Sequence, residues 1–164
     1  MTRSRVALAM LAVALAVSAV WGCSGGPHAA GSFSASVVRV VDGDTIVVAV
    51  AHRHETVRIL GVNTPETRDP RKGVECYGPE ASAYTHARLP AGTRVRVETD
   101  AEARDKYGRL LAYVYVNDTR FDDELLRLGY GRLLIIPPNG VYAREMLEAE
   151  LDARAARRGL WGAC

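Results

Sequence analysis

Three short stretches of the chain hold the side chains that could do chemistry. Asp42-Gly43-Asp44-Thr45 sets two acids around a glycine, between runs rich in β-branched residues. The run TVRILGV at 56–62 carries Arg58 and is followed at once by Asn63, Thr64, Pro65 and Glu66. Asp105-Lys106-Tyr107-Gly108-Arg109 stands just before a third run, LLAYVYV at 110–116. An Asp-Gly turn alone is a common hairpin. Arg58 is less ordinary, because at strand period it shares a face with Leu60 and Val62. A guanidinium there is costly unless it meets an anion or reaches a wet rim. Asp44, Asn63 and the Thr64 carbonyl are hard oxygen donors, Glu66 is a carboxylate beside them, and Arg58 and Arg109 are two guanidiniums. That set suits phosphodiester hydrolysis. A divalent cation draws charge from the phosphate, a carboxylate activates water, and arginines bind the equatorial oxygens bidentately.

Such residues need elements to hold them. Residues 36–41 (SVVRVV), 45–50 (TIVVAV), 56–62, 94–99 (RVRVET) and 110–116 read as five strands, with turn signals at 42–44 and 52–54. Three segments read as helices. Residues 79–89 open with Pro79 and stop before Pro90-Ala91-Gly92, and residues 122–128 open with acids and stop at Gly129. Residues 141–158 place Ala143, Leu147, Leu151 and Ala155 on one stripe, with Glu150 four residues before Arg154 as an ion pair. Strands first, with helices interposed and terminal, predict an α+β fold: a five-stranded OB-type barrel with three helices packed on it. His52 and His54 read as a polar hairpin tip rather than a metal pair, and His86 as a helix residue without a partner. Tyr113 and Tyr115 read as packing residues, and Trp161 as a contact on the barrel near Cys164.

The chain has 164 residues, 48% of them hydrophobic and 24% charged, which suits one domain with accessories and excludes wholesale disorder. Arg3 and Arg5 precede an apolar stretch, 6–20, broken only by Ser18. That stretch is short of the ~20 residues a membrane span needs and fits a signal peptide. It ends in Val20-Trp21-Gly22-Cys23, so residues 1–23 read as an export signal whose lipobox makes Cys23 the lipidated residue, with ordinary secretion as the alternative. Residues 24–32 read as a flexible tether and 33–164 as the folded domain. Arg3 and Arg5 are the leader's only charged residues, so the remainder has equal numbers of bases and acids. Bulk charge gives no nucleic-acid signal, and anion binding must come from a local site. In an oxidising compartment Cys76 and Cys164 are expected to pair, the alternative being two free thiols.

The order and spacing of DGDT, VRILGVNTPET, GVECYGPEAS and DKYGRLLAYVYV closely resemble the staphylococcal nuclease (thermonuclease) family, over roughly residues 35–161. The resemblance implies an OB barrel with three helices. It also implies calcium-dependent cleavage of DNA and RNA, with one Ca2+ ion, leaving 3′-phosphate and 5′-hydroxyl ends. By motif, Asp44, Asn63 and the Thr64 carbonyl are implied metal ligands and Glu66 the general base. Arg58 and Arg109 would clamp the scissile phosphate, and Lys106 and Tyr107 a terminal phosphate. Asp42 would support the metal shell. The family's archetype has an aspartate where this chain has Asn63, which predicts weaker calcium binding or a shifted metal preference, with activity kept. It also has two tyrosines that pack on a base, where this chain has only apolar side chains at 133–138 (LLIIPP). Tyr130 and Tyr142 lie nearby but out of register. The competing expectation is a non-catalytic OB-fold lipoprotein that binds nucleic acid. A monomer is expected.

Overall fold

The computed structural model describes residues 31–67 and 73–164; the leader, Cys23 and residues 24–30 of the tether lie outside them. Five long strands make the frame: β1 (Gly31–Asp42), β2 (Thr45–Val50), β3 (Arg53–Ile59), β5 (Arg94–Arg104) and β6 (Leu110–Val116). A short β4 (Gly61–Asn63) follows β3. β1 and β2 form an antiparallel hairpin in which Asp42 pairs with Thr45 across the Gly43-Asp44 turn. β3 lies antiparallel on β2, β5 on the other edge of β1, and β6 on β5. Parallel pairing of β3 with β6, from Val57 with Leu110 to Ile59 with Ala112, closes the sheet on itself. The result is the expected five-stranded OB barrel. Its β-branched strands fill the interior with Ile46, Val48, Val57, Ile59, Val97 and Val114, all fully buried.

α1 (Gly78–Arg88), β7 (Thr119–Arg120), α2 (Phe121–Leu128), β8 (Arg132–Leu134), α3 (Ala143–Ala155) and the one-turn α4 (Leu160–Ala163) complete the chain. Gly31 and Ser32, assigned by sequence to the tether, are strand and pair with Thr99 and Glu98. The strand read at 56–62 is interrupted. The ladder of β3 ends at Ile59, Gly61 takes a left-handed φ of 78°, and β4 then pairs with β8. That corner turns Asn63 to Glu66 back across the barrel mouth.

The stripe expected on the last helix is displaced. Met146, Ala149, Glu150 and Ala153 are the buried residues of α3, whereas Leu147 and Leu151 are 44% and 50% exposed. Two alanines let α3 approach α2 closely, which long leucines would prevent. Glu150 is tolerated inside because its Oε2 accepts the Leu133 N–H at 3.4 Å and its Oε1 lies 3.8 Å from Arg154, the ion pair that spacing predicts. Trp161 lies with its ring under the guanidiniums of Arg132 and Arg154, 4.7 and 4.2 Å from their central carbons. Tyr113 is buried, as a packing residue should be.

Two covalent and steric constraints fix the helical side. Cys76 and Cys164, 88 residues apart, are joined in a disulfide. Gly129 and Gly159 meet backbone to backbone, with the Leu160 N–H donating to the Gly129 carbonyl at 2.9 Å. A Cβ on Gly129 would fall 2.2 Å from the Arg158 carbonyl oxygen, and one on Gly159 2.2 Å from that of Gly129.

Candidate active site

A cleft of about 790 Å³ opens at the barrel mouth, lined among others by Asp42, Asp44, Arg58, Asn63, Thr64 and Glu66. Tyr107 and Arg109 reach it from the loop before β6. Asp44 is fixed by the hairpin turn. Its Oδ1 accepts the Thr45 hydroxyl at 3.0 Å, and its Oδ2 accepts the Thr64 N–H at 3.0 Å and lies 3.2 Å from Arg58 Nη2. Arg58 answers the question its sequence position raised. Its Nη1 donates to the carbonyls of Ile59 and Val62, and its Nη2 to Asn63 Oδ1 at 3.1 Å. The buried guanidinium lies among two carbonyls, an amide oxygen and the Asp44 carboxylate, which is how a charge is carried inside a protein. Burial pulls its pKa down, Asp44 opposes that, and the like charge of Arg109 adds to the fall.

Arg109 is held by one acid. Asp105 Oδ1 accepts the N–H groups of Tyr107 and Arg109, each at 2.9 Å, and Oδ2 accepts Arg109 Nε at 2.7 Å. Burial pushes the Asp105 carboxyl up, but Arg109 and these N–H groups outweigh it and hold the pKa below the ordinary value. Tyr107 is exposed at the rim, with Lys106 Nζ 5.1 Å and the Arg109 guanidinium carbon 5.5 Å from its ring centre. Lys106 does not line the cleft itself.

Glu66 sits on the loop after β4. The Thr67 N–H donates to its Oε1 at 2.9 Å. Asp42 Oδ1 accepts the Gly43 N–H and the Thr67 hydroxyl, both at 2.9 Å, and its carboxyl faces that of Glu66. Burial and this neighbouring acid raise the Asp42 pKa, against the pull of its two donors. Its support therefore runs to the Glu66 loop. Glu75 is a cleft residue that sequence reasoning missed. Its Oε2 accepts the Glu66 N–H, and its own N–H donates to the Glu66 carbonyl, both at 2.9 Å. The available signal was its place beside Cys76 in the motif GVECYGPEAS. Leu134 and Ile136, from the stretch without aromatic rings, line the cleft. Tyr130 stacks on Tyr84 at 4.3 Å, and Tyr142 packs edge-on against Tyr113 at 4.8 Å, so each is engaged in its own ring contact.

The donor set is one that calcium accepts. Asp44, the Asn63 amide oxygen and the Thr64 carbonyl supply hard oxygens, and the buried Thr64 hydroxyl has no hydrogen-bond partner. Among the described residues no three His, Cys, Asp or Glu side chains gather as a metal site, so amide and backbone oxygens would have to complete any such shell.

A closed five-stranded barrel with acids and paired arginines in one cleft at its mouth defines an OB-fold protein built to receive an anion. The family described as staphylococcal nuclease homologue matches residues 56–163. The chain is 42% identical over 125 residues to the thermonuclease of Staphylococcus intermedius, covering 76% of this chain and 74% of that one. It is 38% identical over 125 residues to the thermonuclease of Staphylococcus hyicus (76% and 73%) and to endonuclease YncB of Bacillus subtilis (75% and 59%). The chain belongs to the staphylococcal nuclease family.

Proposed function

We propose that this nuclease-family protein is a calcium-dependent endonuclease, cleaving DNA, RNA or both to products with 3′-phosphate and 5′-hydroxyl ends. One observation carries the reading. Arg58 and Arg109 face the same cleft closely enough to repel, beside Glu66 and a set of hard oxygens. A phosphodiester between the guanidiniums would relieve that repulsion. Calcium held by Asp44, Asn63 and the Thr64 carbonyl would withdraw charge from the phosphate and help to orient it. Arg109, swung from Asp105, and Arg58, turning Nη2 from Asn63, grip its equatorial oxygens and stabilise the charge that grows as water attacks. Glu66, its backbone held by Glu75, takes the proton from that water as the P–O5′ bond breaks, and the departing 5′-oxygen takes a proton from solvent to leave as the 5′-hydroxyl. Lys106 and Tyr107 receive a neighbouring phosphate at the rim. The protein works as an exported monomer, secreted or anchored through lipid at Cys23.

The test is cleavage of plasmid and single-stranded DNA by the mature chain with calcium, with magnesium and with chelator, beside Glu66→Gln. Calcium-dependent cleavage that falls at least 100-fold in the variant is expected, on the order of the loss of a general base. Asn63, one charge short of an aspartate, favours the second reading, a non-catalytic binding module. No cleavage with any metal, from folded protein that still retains DNA, would establish that reading instead.

A further inference from the structure

The ladder of β4 and β8 has an inner and an outer face. Val62 and Leu133, paired across it, point inward, Val62 fully buried and Leu133 packed against the core. Asn63 and Arg132 are the next cross-strand partners, so their side chains leave on the outer side, with ~5 Å between Cβ atoms. Leu134, two residues on from Arg132, shares that side. Asn63 and Leu134 both line the cleft, so its wall continues to Arg132 without a change of face. Arg132 is exposed, and among the described residues no acid forms an ion pair with it. Trp161 places it instead. One indole ring holds the guanidiniums of Arg132 and Arg154 by the attraction of its π face for cations. Glu150, 3.8 Å from Arg154 Nε, brings a single negative charge, which leaves the group net positive. Trp161 stands three residues before Cys164, whose disulfide leads to Cys76, the neighbour of the cleft residue Glu75. The ladder and the bridge thus fix this group relative to the cleft from two sides.

We propose that Arg132, seated on Trp161 beside Arg154, binds a phosphate of the substrate strand next to the one being cut. This rests on the nuclease reading of the cleft. A strand that leaves the cleft over Asn63 and Leu134 meets Arg132 on the same face, and its phosphate relieves the repulsion between two cations that share one ring. Arg132 touches the substrate away from the reacting atoms, and Trp161 is a positioning residue. The contact favours a polymer strand over a substrate with the scissile phosphate alone. It acts on association, through the release of counterions from phosphates.

The experiment compares the parent, Arg132→Ala and Arg132→Lys on a long single-stranded oligonucleotide and on a dinucleotide, whose one phosphate is the scissile one, with calcium and over a salt series. Arg132→Ala is expected to lose several-fold in kcat/KM on the long strand and nothing on the dinucleotide. Its log–log salt slope on the long strand should be shallower by about 0.7, the share of one phosphate contact on a single strand. Arg132→Lys should keep the parent's slope, because counterion release follows charge. Equal losses on both substrates, or a shifted calcium midpoint on the dinucleotide, would show that Arg132 acts through its neighbour Asn63 and would overturn the contact. An unchanged salt slope in Arg132→Ala, or a lysine variant that behaves like the alanine one, would overturn it too. Metal-free fluorescence anisotropy with the labelled long strand separates this idea from the reading it rests on. If the parent cuts nothing, the nuclease reading fails, and the contact stands only if Arg132→Ala binds the strand more weakly and with less salt dependence.

Discussion

Asn63 is the residue on which the chemistry of the cleft turns. Its Oδ1 faces Arg58 Nη2 at 3.1 Å, so it braces the guanidinium with a dipole where an aspartate would use a charge. An amide oxygen can coordinate calcium but contributes no charge to the binding energy. Asn63→Asp is therefore expected to lower the calcium concentration for half-maximal cleavage, by tenfold for each ~1.4 kcal/mol gained. A calcium titration of initial rate is the measurement, and an unchanged midpoint would remove Asn63 from the ligand set. Arg58, Glu66 and Arg109, which the fold brings to one cleft, were legible through four motifs in family order, since alone each reads as a rim arginine or a charged turn. Glu75 was not, since a lone glutamate in a loop looks like solvated surface. Only the folded chain brings its carboxylate to the Glu66 N–H.

At the scale of elements, Thr64 is held by Asp44 and Cys76 by the disulfide. Cys76 follows Glu75 directly, so the bridge anchors the residue that fixes Glu66. A loop of 88 residues puts the bridge's effect on the unfolded chain at about 4–5 kcal/mol. Cys76→Ser/Cys164→Ser should melt lower by roughly 10 °C or more in calorimetry. It should also lose cleavage rate below its melting transition, as the Glu66 loop loosens. A variant that melts like the parent would show the bridge to be incidental. The strands were legible because β-branched runs between turn signals leave little choice. The buried face of α3 was not. Leucine marks the core by hydrophobicity, but here close approach to α2 selects Ala149 and Ala153 and leaves Leu147 and Leu151 outside. Packing distance between helices is a property of the pair, absent from either stretch alone.

At the scale of the whole molecule, one interior acid links folding to pH. Asp122 is fully buried at the start of α2, with Arg120 Nε 2.8 Å from its Oδ2 and its Oδ1 unpartnered. Burial pushes its pKa from 3.8 up to about 7 despite Arg120. The folded state then holds a proton that the unfolded chain has released. The stabilising contribution is complete below about pH 4 and is lost as pH rises through about 7. Glu124, held low first by Arg88 against its own burial, acts with the opposite sign at lower pH. Urea midpoints should therefore fall between pH 4 and 7 in the parent and stay flatter in Asp122→Asn. Identical slopes would exclude Asp122 as the source.

The seam between Gly129 and Gly159 bears on how this sequence can drift. Elsewhere in the core a larger residue at one position can be offset by a smaller one opposite. At this seam a side chain on Gly129 would meet the main chain of Arg158 and Gly159, and one on Gly159 that of Leu128 and Gly129, which no substitution can trim. The two positions, 30 residues apart in the chain, thus constrain each other, and descendants of this protein should vary freely around them while both stay fixed.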